Sequence, residues 1–247
     1  MRSGVEPRPL VIRVNPIKEE RLLMKVSHYL SLSFLILTFA SQTFSQSVYL
    51  EKGQSGIGVL GDFSSNQSAS ATGGSLGYSI NSILDVGLSI SNISPLQKLD
   101  GREYYAAAIA LSITLTAVKQ DPTNAISLAF SAADLSYKYT SPALDQNSPT
   151  TEPTGFSIGA SVYRNITVSP AIELQPQIGI SYARVNAEVK DTHGNPVIPG
   201  YNSAVFDVGL SLLFHTGPTT LIGISPSVGK DKYHTTFDLA AGFVFIL

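Results

Sequence analysis

The stretch that decides the fold is YAAAIALSITLT, residues 105–116. Every second position belongs to one set that is mostly large and apolar: Tyr105, Ala107, Ile109, Leu111, Ile113 and Leu115. The positions between them hold only Ala, Ser and Thr. A β-strand directs alternate side chains to opposite faces of a sheet, whereas a helix repeats about every 3.6 residues. The stretch therefore predicts a strand with one apolar face and one face of small residues.

The same alternation runs from about residue 55 to the C-terminus and predicts ten strands. The apolar positions of the other nine are Ile57, Val59 and Phe63; Leu76, Tyr78 and Ile80; Leu84, Val86, Leu88 and Ile90; Ile126, Leu128 and Phe130; Phe156, Ile158 and Val162; Ile172, Leu174, Ile178 and Ile180; Phe206, Val208, Leu210 and Leu212; Ile222, Ile224 and Val228; and Phe237, Leu239, Phe243 and Phe245. After Ala132 these positions shift by one residue to Leu135 and Tyr137, which predicts a β-bulge near Ala133. Prolines 170, 176 and 226 lack the N–H that a strand ladder needs, so an arrangement of eight strands stays open.

The predicted connections alternate between short and long, as in an up-and-down barrel. The short turns are residues 81–82, 119–123, 164–165 and 215–218, and the longer polar connections are residues 64–70, 95–102, 141–154 and 190–203. Aromatic residues collect at strand ends, as expected where an apolar surface meets lipid headgroups. Those at the long-loop ends are Phe63, Tyr105, Tyr137, Tyr139, Phe156, Tyr182, Phe206 and Phe237, and those at the short-turn ends are Tyr78, Phe214, Phe243 and Phe245. We therefore predict an all-β fold, a closed antiparallel up-and-down transmembrane β-barrel of ten strands.

The composition indicates a surface that is covered by something other than water. Charged residues make up 14% of the chain, against about 25% in a typical soluble domain. The formal net charge is -2 and no run rich in Lys and Arg occurs, so nucleic-acid binding is not expected. The chain has no cysteine, which excludes disulfides and thiolate metal sites.

Residues 24–45 have the layout of a signal peptide. Lys25 supplies a basic start, residues 29–40 form an apolar core, and a polar segment leads to Ser45. The core is shorter than the roughly 20 residues of a membrane-spanning helix, so cleavage after Ser45 is expected. Residues 1–23 are interpreted as a disordered extension or as the product of a start codon assigned upstream of the true start, Met24. The barrel is assigned to residues 46–247.

The last eleven residues, 237–247, read FDLAAGFVFIL and alternate in the same way. With the signal peptide and the two-residue repeat, they resemble the C-terminal β-signal of small outer-membrane β-barrel proteins, the OmpA-like and OmpX-like class of Gram-negative bacteria. The resemblance covers residues 46–247, although the chain ends in Leu247 where the family has an aromatic residue. It implies a place in the cell outer membrane, contact with outer-membrane lipid and lipopolysaccharide, and assembly by the barrel-assembly machinery through Phe237 to Leu247. We expect a monomer.

The small-residue face is expected to line the lumen of the barrel. Six charged residues are predicted to project from it: Asp85, Asp134, Lys138, Glu173, Asp207 and Asp238. A lumen lined by small side chains admits water, and its carboxylates would favour cations. The alternative is that these charges pair with one another or with water and conduct nothing.

No catalytic residue, cofactor site or metal site is predicted. Residues 56–61 have the glycine spacing of a dinucleotide-binding motif, but a loop follows where that motif needs a helix. His193, His215 and His234 lack metal-binding spacing. His193 and His234 are expected on the long-loop side, near Asp191 and Asp231, where a barrel-borne enzyme would hold its catalytic groups.

The sequence thus favours a non-enzymatic, porin-like outer-membrane barrel with a structural or surface-interaction role, with a narrow water-filled pore as an additional property. Two alternatives stay open. The first is an outer-membrane enzyme, either an omptin-like protease or a lipid A-modifying enzyme, which a tight cluster of His234 with Asp207, Asp231 or Asp238 would favour. The second is a soluble secreted β-sandwich, which would pack the apolar face inward.

Overall fold

The computed structural model describes residues 49–67, 69–95, 105–140, 154–186, 189–190, 196–198, 201–232 and 234–247. Within these ranges the chain consists of strands, turns and short connections. No helix in them is long and apolar enough to cross a membrane. Residues 1–48, which include the predicted signal peptide, lie outside the described part of the chain.

The strands follow the alternating segments of the sequence. They are β1 (Gly56–Ser65), β2 (Ala69–Ile80), β3 (Leu84–Pro95), β4 (Tyr105–Val118), β5 (Ser127–Thr140), β6 (Thr154–Tyr163), β7 (Ile166–Ser169), β8 (Ile172–Asn186), β9 (Val189–Lys190), β10 (Pro196–Ile198), β11 (Tyr201–Gly217), β12 (Thr220–Lys230) and β13 (Thr235–Ile246). Among the described residues, the short strands β9 and β10 form a separate two-stranded sheet.

Ten antiparallel strands close into one barrel. Strands β6 and β7 lie one after the other along β8 and together count as one of the ten strands of the barrel wall. β8 then pairs with β11, and the final strand β13 pairs with β1 from Gly56↔Ile246 to Ser65↔Phe237. The ten-strand prediction is confirmed. The alternatives of eight strands and of a two-sheet sandwich are wrong, because one continuous sheet returns to its own first strand.

The two ends of the barrel differ in their connections. The turn end carries the reversals at residues 81–83, 119–126, 170–171 and 218–219, and β1 starts and β13 ends there. The opposite end, which we call the loop end, holds the strand ends that flank residues 66–68, 96–104, 141–153, 187–200 and 231–234. At the turn end, Asn81 and Ser82 both have positive φ, 54° and 55°, the conformation of the type I′ turn that matches strand twist.

Two local predictions are wrong. The ladder between β4 and β5 keeps its register through Ala133↔Ser112, so the strand has no bulge there. Residues 164–165 are not a turn, because Arg164 N–H donates to the Pro176 carbonyl at 3.2 Å and the ladder along β8 continues. The chain reverses instead at Pro170 and Ala171, where a missing N–H costs no ladder hydrogen bond.

The apparent phase shift in β5 has a different cause. Leu135 and Tyr137 stay on the inner face and are buried, while Asp134 and Lys138 lie on the outer face and are exposed. The expectation that Tyr137 joins an outer aromatic girdle is therefore wrong, and the side chain of Tyr139 lies outside the described residues. The strand has passed beyond the apolar part of the outer surface, so polarity changes sides while the strand geometry does not.

The outer face forms an unbroken apolar surface around the barrel, which we call the outer belt. Large side chains with high exposure compose it: Ile57, Val59, Phe63, Leu76, Tyr78, Val86, Leu88, Ile90, Tyr105, Ile109, Leu111, Ile113, Leu115, Phe130, Phe156, Ile158, Ile178, Ile180, Tyr182, Phe206, Val208, Leu210, Ile224, Val228, Phe237, Leu239, Phe243 and Phe245. Toward the loop end the outward positions become polar, with Asn92, Asp134, Lys138, Arg184 and Lys230. The apolar face points away from the protein, which is the reverse of a soluble fold.

Candidate functional site: the interior of the barrel

The turn end of the lumen is filled by two residues that precede β1. Leu50 is 0% exposed and Tyr49 is 9% exposed, and they pack against inward-facing side chains of the barrel wall. We call Tyr49 and Leu50 the plug. The wall residues around it, the turn-end cluster, are Ala129, Tyr163, Leu213, Leu221 and Val244. The Tyr49 hydroxyl hydrogen bonds to Ser225 Oγ at 3.1 Å, and Ser225 hydrogen bonds to Ser211 at 2.8 Å.

A tight turn sends the plug into the lumen. Gln54 N–H donates to the Glu51 carbonyl at 3.1 Å, and Gly53 has φ of 88°, which glycine adopts without a steric penalty. Gly53 N–H also donates to Ser82 Oγ at 3.1 Å, and Lys52 Nζ lies 2.9 Å from Asp121 Oδ2. The reversal is therefore held against two neighbouring turns of the barrel.

A polar network lies beside the plug at the turn end. Gln120 and Asn165 exchange two hydrogen bonds: Gln120 Nε2 donates to the Asn165 carbonyl at 2.9 Å, and Asn165 N–H donates to Gln120 Oε1 at 2.7 Å. Gln175 Nε2 donates to Asn165 Oδ1 at 2.7 Å, and His215 Nε2 lies 3.2 Å from Glu173 Oε1. This network joins the β4–β5 connection, the β6–β7 junction and β8 across the wall.

Lys119 is the cation of this region. Its Nζ lies 5.6 Å from the centre of the Tyr163 ring, in the range of a cation–π contact. Burial lowers the pKa of Lys119 from 10.5 to about 8, and the carboxylates of Asp85, Glu173 and Glu51 act in the opposite direction. The ammonium is therefore partly desolvated, and the nearby carboxylates offset part of the cost of that desolvation.

The middle of the lumen is lined by small residues. Inward positions between the two ends are partly exposed although they face the interior: Gly73, Ser75, Gly77, Gly87, Ser89, Ser112, Ser131 and Gly159. Side chains this small leave space that water reaches. The inner face is thus filled at the turn end and less filled in the middle of the barrel, before the large buried side chains of Ile93, Leu135 and Tyr137 near the loop end.

Three carboxylates face this space toward the loop end: Asp62 on β1, Asp207 on β11 and Asp238 on β13. Ser64 Oγ donates a short hydrogen bond to Asp238 Oδ1. The Asp207 carboxylate lies over Gly179, and the Asp62 carboxylate lies over Gly73, where an added Cβ would come within 2.8 Å of Asp62 Oδ1. Glycine on the neighbouring strand makes room for each of these two side chains.

The six charged residues that the sequence assigned to the lumen are divided by the structure. Asp85, Glu173, Asp207 and Asp238 lie on the inner face. Asp134 and Lys138 lie on the outer face, so their assignment to the lumen is wrong. Asp62 is an inner carboxylate that the sequence analysis missed, although the alternation through Val59 and Phe63 already places it inward.

A second group of polar residues closes the β12–β13 connection. Asp231 Oδ1 accepts His234 N–H at 2.5 Å, and Ser203 Oγ donates to Asp231 Oδ2 at 3.2 Å. His234 Nδ1 lies 3.8 Å from Asp231 Oδ1, and burial lowers the pKa of His234 while Asp231 acts to raise it. His234 thus meets Asp231 as the sequence analysis allowed, but inside a four-residue turn that the carboxylate caps. His193 lies outside the described residues.

Among the described residues, no three His, Cys, Asp or Glu side chains are grouped in a way that could hold a metal ion. The Gly56–Gly61 motif lies within β1 and is followed by Asp62 and Phe63 of the same strand. That arrangement lacks the helix N-terminus that binds a dinucleotide pyrophosphate.

Comparisons with known proteins place the fold. No protein-family model and no curated protein matches the chain. The translocator domain of the autotransporter NalP from Neisseria meningitidis matches with a TM-score of 0.53 and 10% identity, over 90% of this chain and 97% of that one. The transport unit of the autotransporter AIDA-I from Escherichia coli matches with a TM-score of 0.50 and 10% identity, over 89% and 98%. The chain therefore has the fold of outer-membrane β-barrels.

Proposed function

We propose that this chain is an exported, non-enzymatic outer-membrane protein with a structural or surface-interaction role. The observation that carries the proposal is the outer belt. It surrounds the whole barrel, contains only apolar and aromatic side chains between its polar edges, and would be costly to expose to water. A lipid bilayer is the environment that covers such a surface without a protein partner.

The direction of insertion follows from the connections. Even-numbered bacterial barrels place short turns in the periplasm and longer loops outside. The turn end, where β1 starts and β13 ends, is accordingly assigned to the periplasm, and the loop end to the cell surface. Residues 24–45 serve as the signal peptide in this proposal. The segment Phe237–Leu247 engages the barrel-assembly machinery, a role that suits the strand that closes the barrel against β1.

The polar residues of the interior support a non-enzymatic role. Ser203 Oγ lies 3.2 Å from both of its acceptors, Asp231 Oδ2 and the Ala204 carbonyl, so its hydroxyl is not directed at the imidazole as that of a nucleophile would be. Asp231 caps a turn, and Glu173 lies beside His215 in the turn-end network. Each of these groups has a structural partner that accounts for its position.

The first test is heat modifiability of the full chain, folded into detergent micelles and into lipid vesicles. A folded barrel migrates differently in gel electrophoresis before and after boiling, and its circular dichroism is rich in strand. We expect both properties, together with flotation of the protein with vesicles in a density gradient. A chain that stays soluble without detergent and shows no mobility shift would overturn the proposal.

The competing enzymatic role has its own test. The folded protein is incubated with unstructured peptides and with lipid A, and the products are followed by mass spectrometry. We expect no turnover above that of the His234→Ala variant. Turnover that this substitution abolishes, with the heat-dependent mobility shift retained, would assign the loop end to an enzyme.

A further inference from the structure

We propose that Tyr49 and Leu50 form a displaceable plug, and that withdrawal of the plug opens a narrow pore that conducts small cations. The inference rests on the proposed function, because conduction requires the barrel to lie in a membrane. It adds an activity and a gate to the structural or surface-interaction role proposed above.

The turn-end cluster is the first observation. The inner face consists mainly of small residues, yet Leu213, Leu221 and Val244 on the three consecutive strands β11, β12 and β13 place apolar side chains inside the lumen. These side chains are almost fully buried, and Leu50 and the Tyr49 ring cover them. An apolar patch inside a polar lumen is stabilised when an apolar partner covers it. The wall is thus shaped for this plug.

The attachment of the plug is the second observation. Tyr49 and Leu50 precede β1 and contribute nothing to the strand pairing that closes the barrel. They contact the wall through the turn-end cluster and the Tyr49–Ser225 hydrogen bond. The segment that links them to β1 is the reversal at residues 51–54, which rests on turn residues such as Ser82 and on the exposed ion pair between Lys52 and Asp121. The plug can therefore leave the lumen while every strand pair stays intact.

The space above the plug is the third observation. Glycine and serine line it, and their partial exposure shows room for water beyond the plug. At the turn end the plug occupies the space between the wall residues, and the Tyr49 hydroxyl reaches Ser225 and through it Ser211. Removing the phenol ring and the Leu50 side chain would leave the turn-end cluster as the lining at this level and the small residues as the lining in the middle of the barrel.

The charge of the lining determines which ions would pass. Asp62, Asp207 and Asp238 face the lumen, and Lys138, Arg184 and Lys230 lie on the outer face. The cation inside the turn end, Lys119, lies over the Tyr163 ring and is opposed there by the carboxylates of Asp85, Glu173 and Glu51. Rings or clusters of carboxylates in a narrow aqueous path favour cations over anions. A small hydrated cation such as potassium is therefore the expected permeant ion.

The experiment measures potassium flux from vesicles that contain the full chain. The paired variant Tyr49→Ala with Leu50→Ala removes the plug, and we expect flux at least about tenfold above wild type because the closed state loses its apolar contacts. The matched control is Tyr78→Ala with Ile80→Ala. It removes a Tyr and an aliphatic residue at the same end of the barrel but from the outer face, and it should keep the flux of wild type.

The outcomes separate the two proposals. If wild type fails to insert or lacks the heat-dependent mobility shift, the proposed membrane function fails. If the plug variant inserts, keeps that shift and still conducts like wild type, the gate is overturned and the membrane function stands. If the plug variant does not fold, Tyr49→Phe decides, because it deletes only the hydroxyl that bonds Ser225. We expect about a fivefold rise in flux from that variant, and an unchanged flux would overturn the gate.

Ion selectivity is tested in the conducting variant. Asp62→Asn and Asp207→Asn are added to it, since these two carboxylates keep partial exposure to the lumen. We expect the potassium-to-chloride permeability ratio, read from reversal potentials, to fall at least about twofold toward unity. A ratio that does not change would remove these carboxylates from the conducting path.

Discussion

The outer and inner faces of the barrel wall belong to the same strands but meet different requirements. The outer face needs only apolar side chains of almost any shape, because lipid adapts to them. The inner face has a fixed volume, so each side chain must suit its neighbours: Asp207 lies over Gly179, and the plug lies within the turn-end cluster. The difference teaches that residue type determines one face and shape determines the other.

The largest expected effect comes from placing a charge in the outer belt. Leu88 faces outward between Leu76 and Leu111 on the adjacent strands. Leu88→Arg should lower the free energy of unfolding in lipid vesicles by roughly 2–4 kcal/mol, because the guanidinium must leave water for hydrocarbon. Unfolding in urea, followed by circular dichroism and by gel mobility, measures this loss of stability.

The control for this prediction lies on the same strand and the same face. Asn92 is exposed four positions closer to the loop end, where the outward residues become polar. Asn92→Arg should cost no more than about 1 kcal/mol. Equal losses from the two variants would show that the outer belt does not lie in hydrocarbon.

The next effect tests the packing of the inner face with two glycines on the paired strands β13 and β1. A Cβ on Gly242 would overlap the Val59 carbonyl oxygen and lie 2.9 Å from Leu60 Cα, whereas a Cβ on the outward-facing Gly61 would meet nothing closer than 4.0 Å. Gly242→Ala should destabilise the barrel by about 1–3 kcal/mol, and Gly61→Ala by no more than about 0.5 kcal/mol. Urea midpoints compare them, and a reversed order would contradict the assignment of faces.

The last effect is a pH dependence rather than a loss at fixed pH, and it concerns Lys119 at the turn end. Its pKa is about 8 in the folded protein against an ordinary value of 10.5. Between these values the unfolded chain holds a proton that the folded chain has released, so stability should rise with pH from about 8 to 10.5. The rise should be absent in Lys119→Met, and urea unfolding of both proteins across that range measures the difference.

A parallel pH response in the two proteins would assign the rise to other groups. It would also indicate that Lys119 is more hydrated than its position beside the Tyr163 ring suggests. If the free energy of unfolding fell more steeply below pH 8 in Lys119→Met than in wild type, the prediction would be contradicted directly, since the variant has no ammonium to desolvate there.

Most of the barrel could be predicted from the alternation of residue types. The ten strands, their antiparallel order and the outward direction of residues such as Leu111 and Phe243 follow from a period of two and from the turn residues between strands. The wrong predictions lie where the polarity of a residue no longer indicates which face of the strand it is on. In β5, Asp134 and Lys138 lie on the outer face beyond the outer belt, so the change of polarity there has the same sequence pattern as a change of strand phase.

The candidate site depended far more on the tertiary structure. Glu173 and His215 lie more than forty positions apart in the sequence, and Tyr49 reaches Ser225 across most of the chain. Pro170 lacks the N–H that a strand ladder needs, but this alone did not show that it, rather than Arg164 and Asn165, occupies the turn. No local pattern encodes such contacts, because closure of the barrel brings them together.

The sequence by itself thus determined that the chain forms alternating strands with an apolar face, because side-chain direction along a strand depends only on position parity. The tertiary structure alone decided which side chains fill the lumen. Shear between paired strands sets which inward residues meet, and the reversal at residues 51–54 sends Tyr49 and Leu50 inside rather than away from the barrel. Both depend on closure of the sheet between β13 and β1, a contact between the two ends of the barrel sequence.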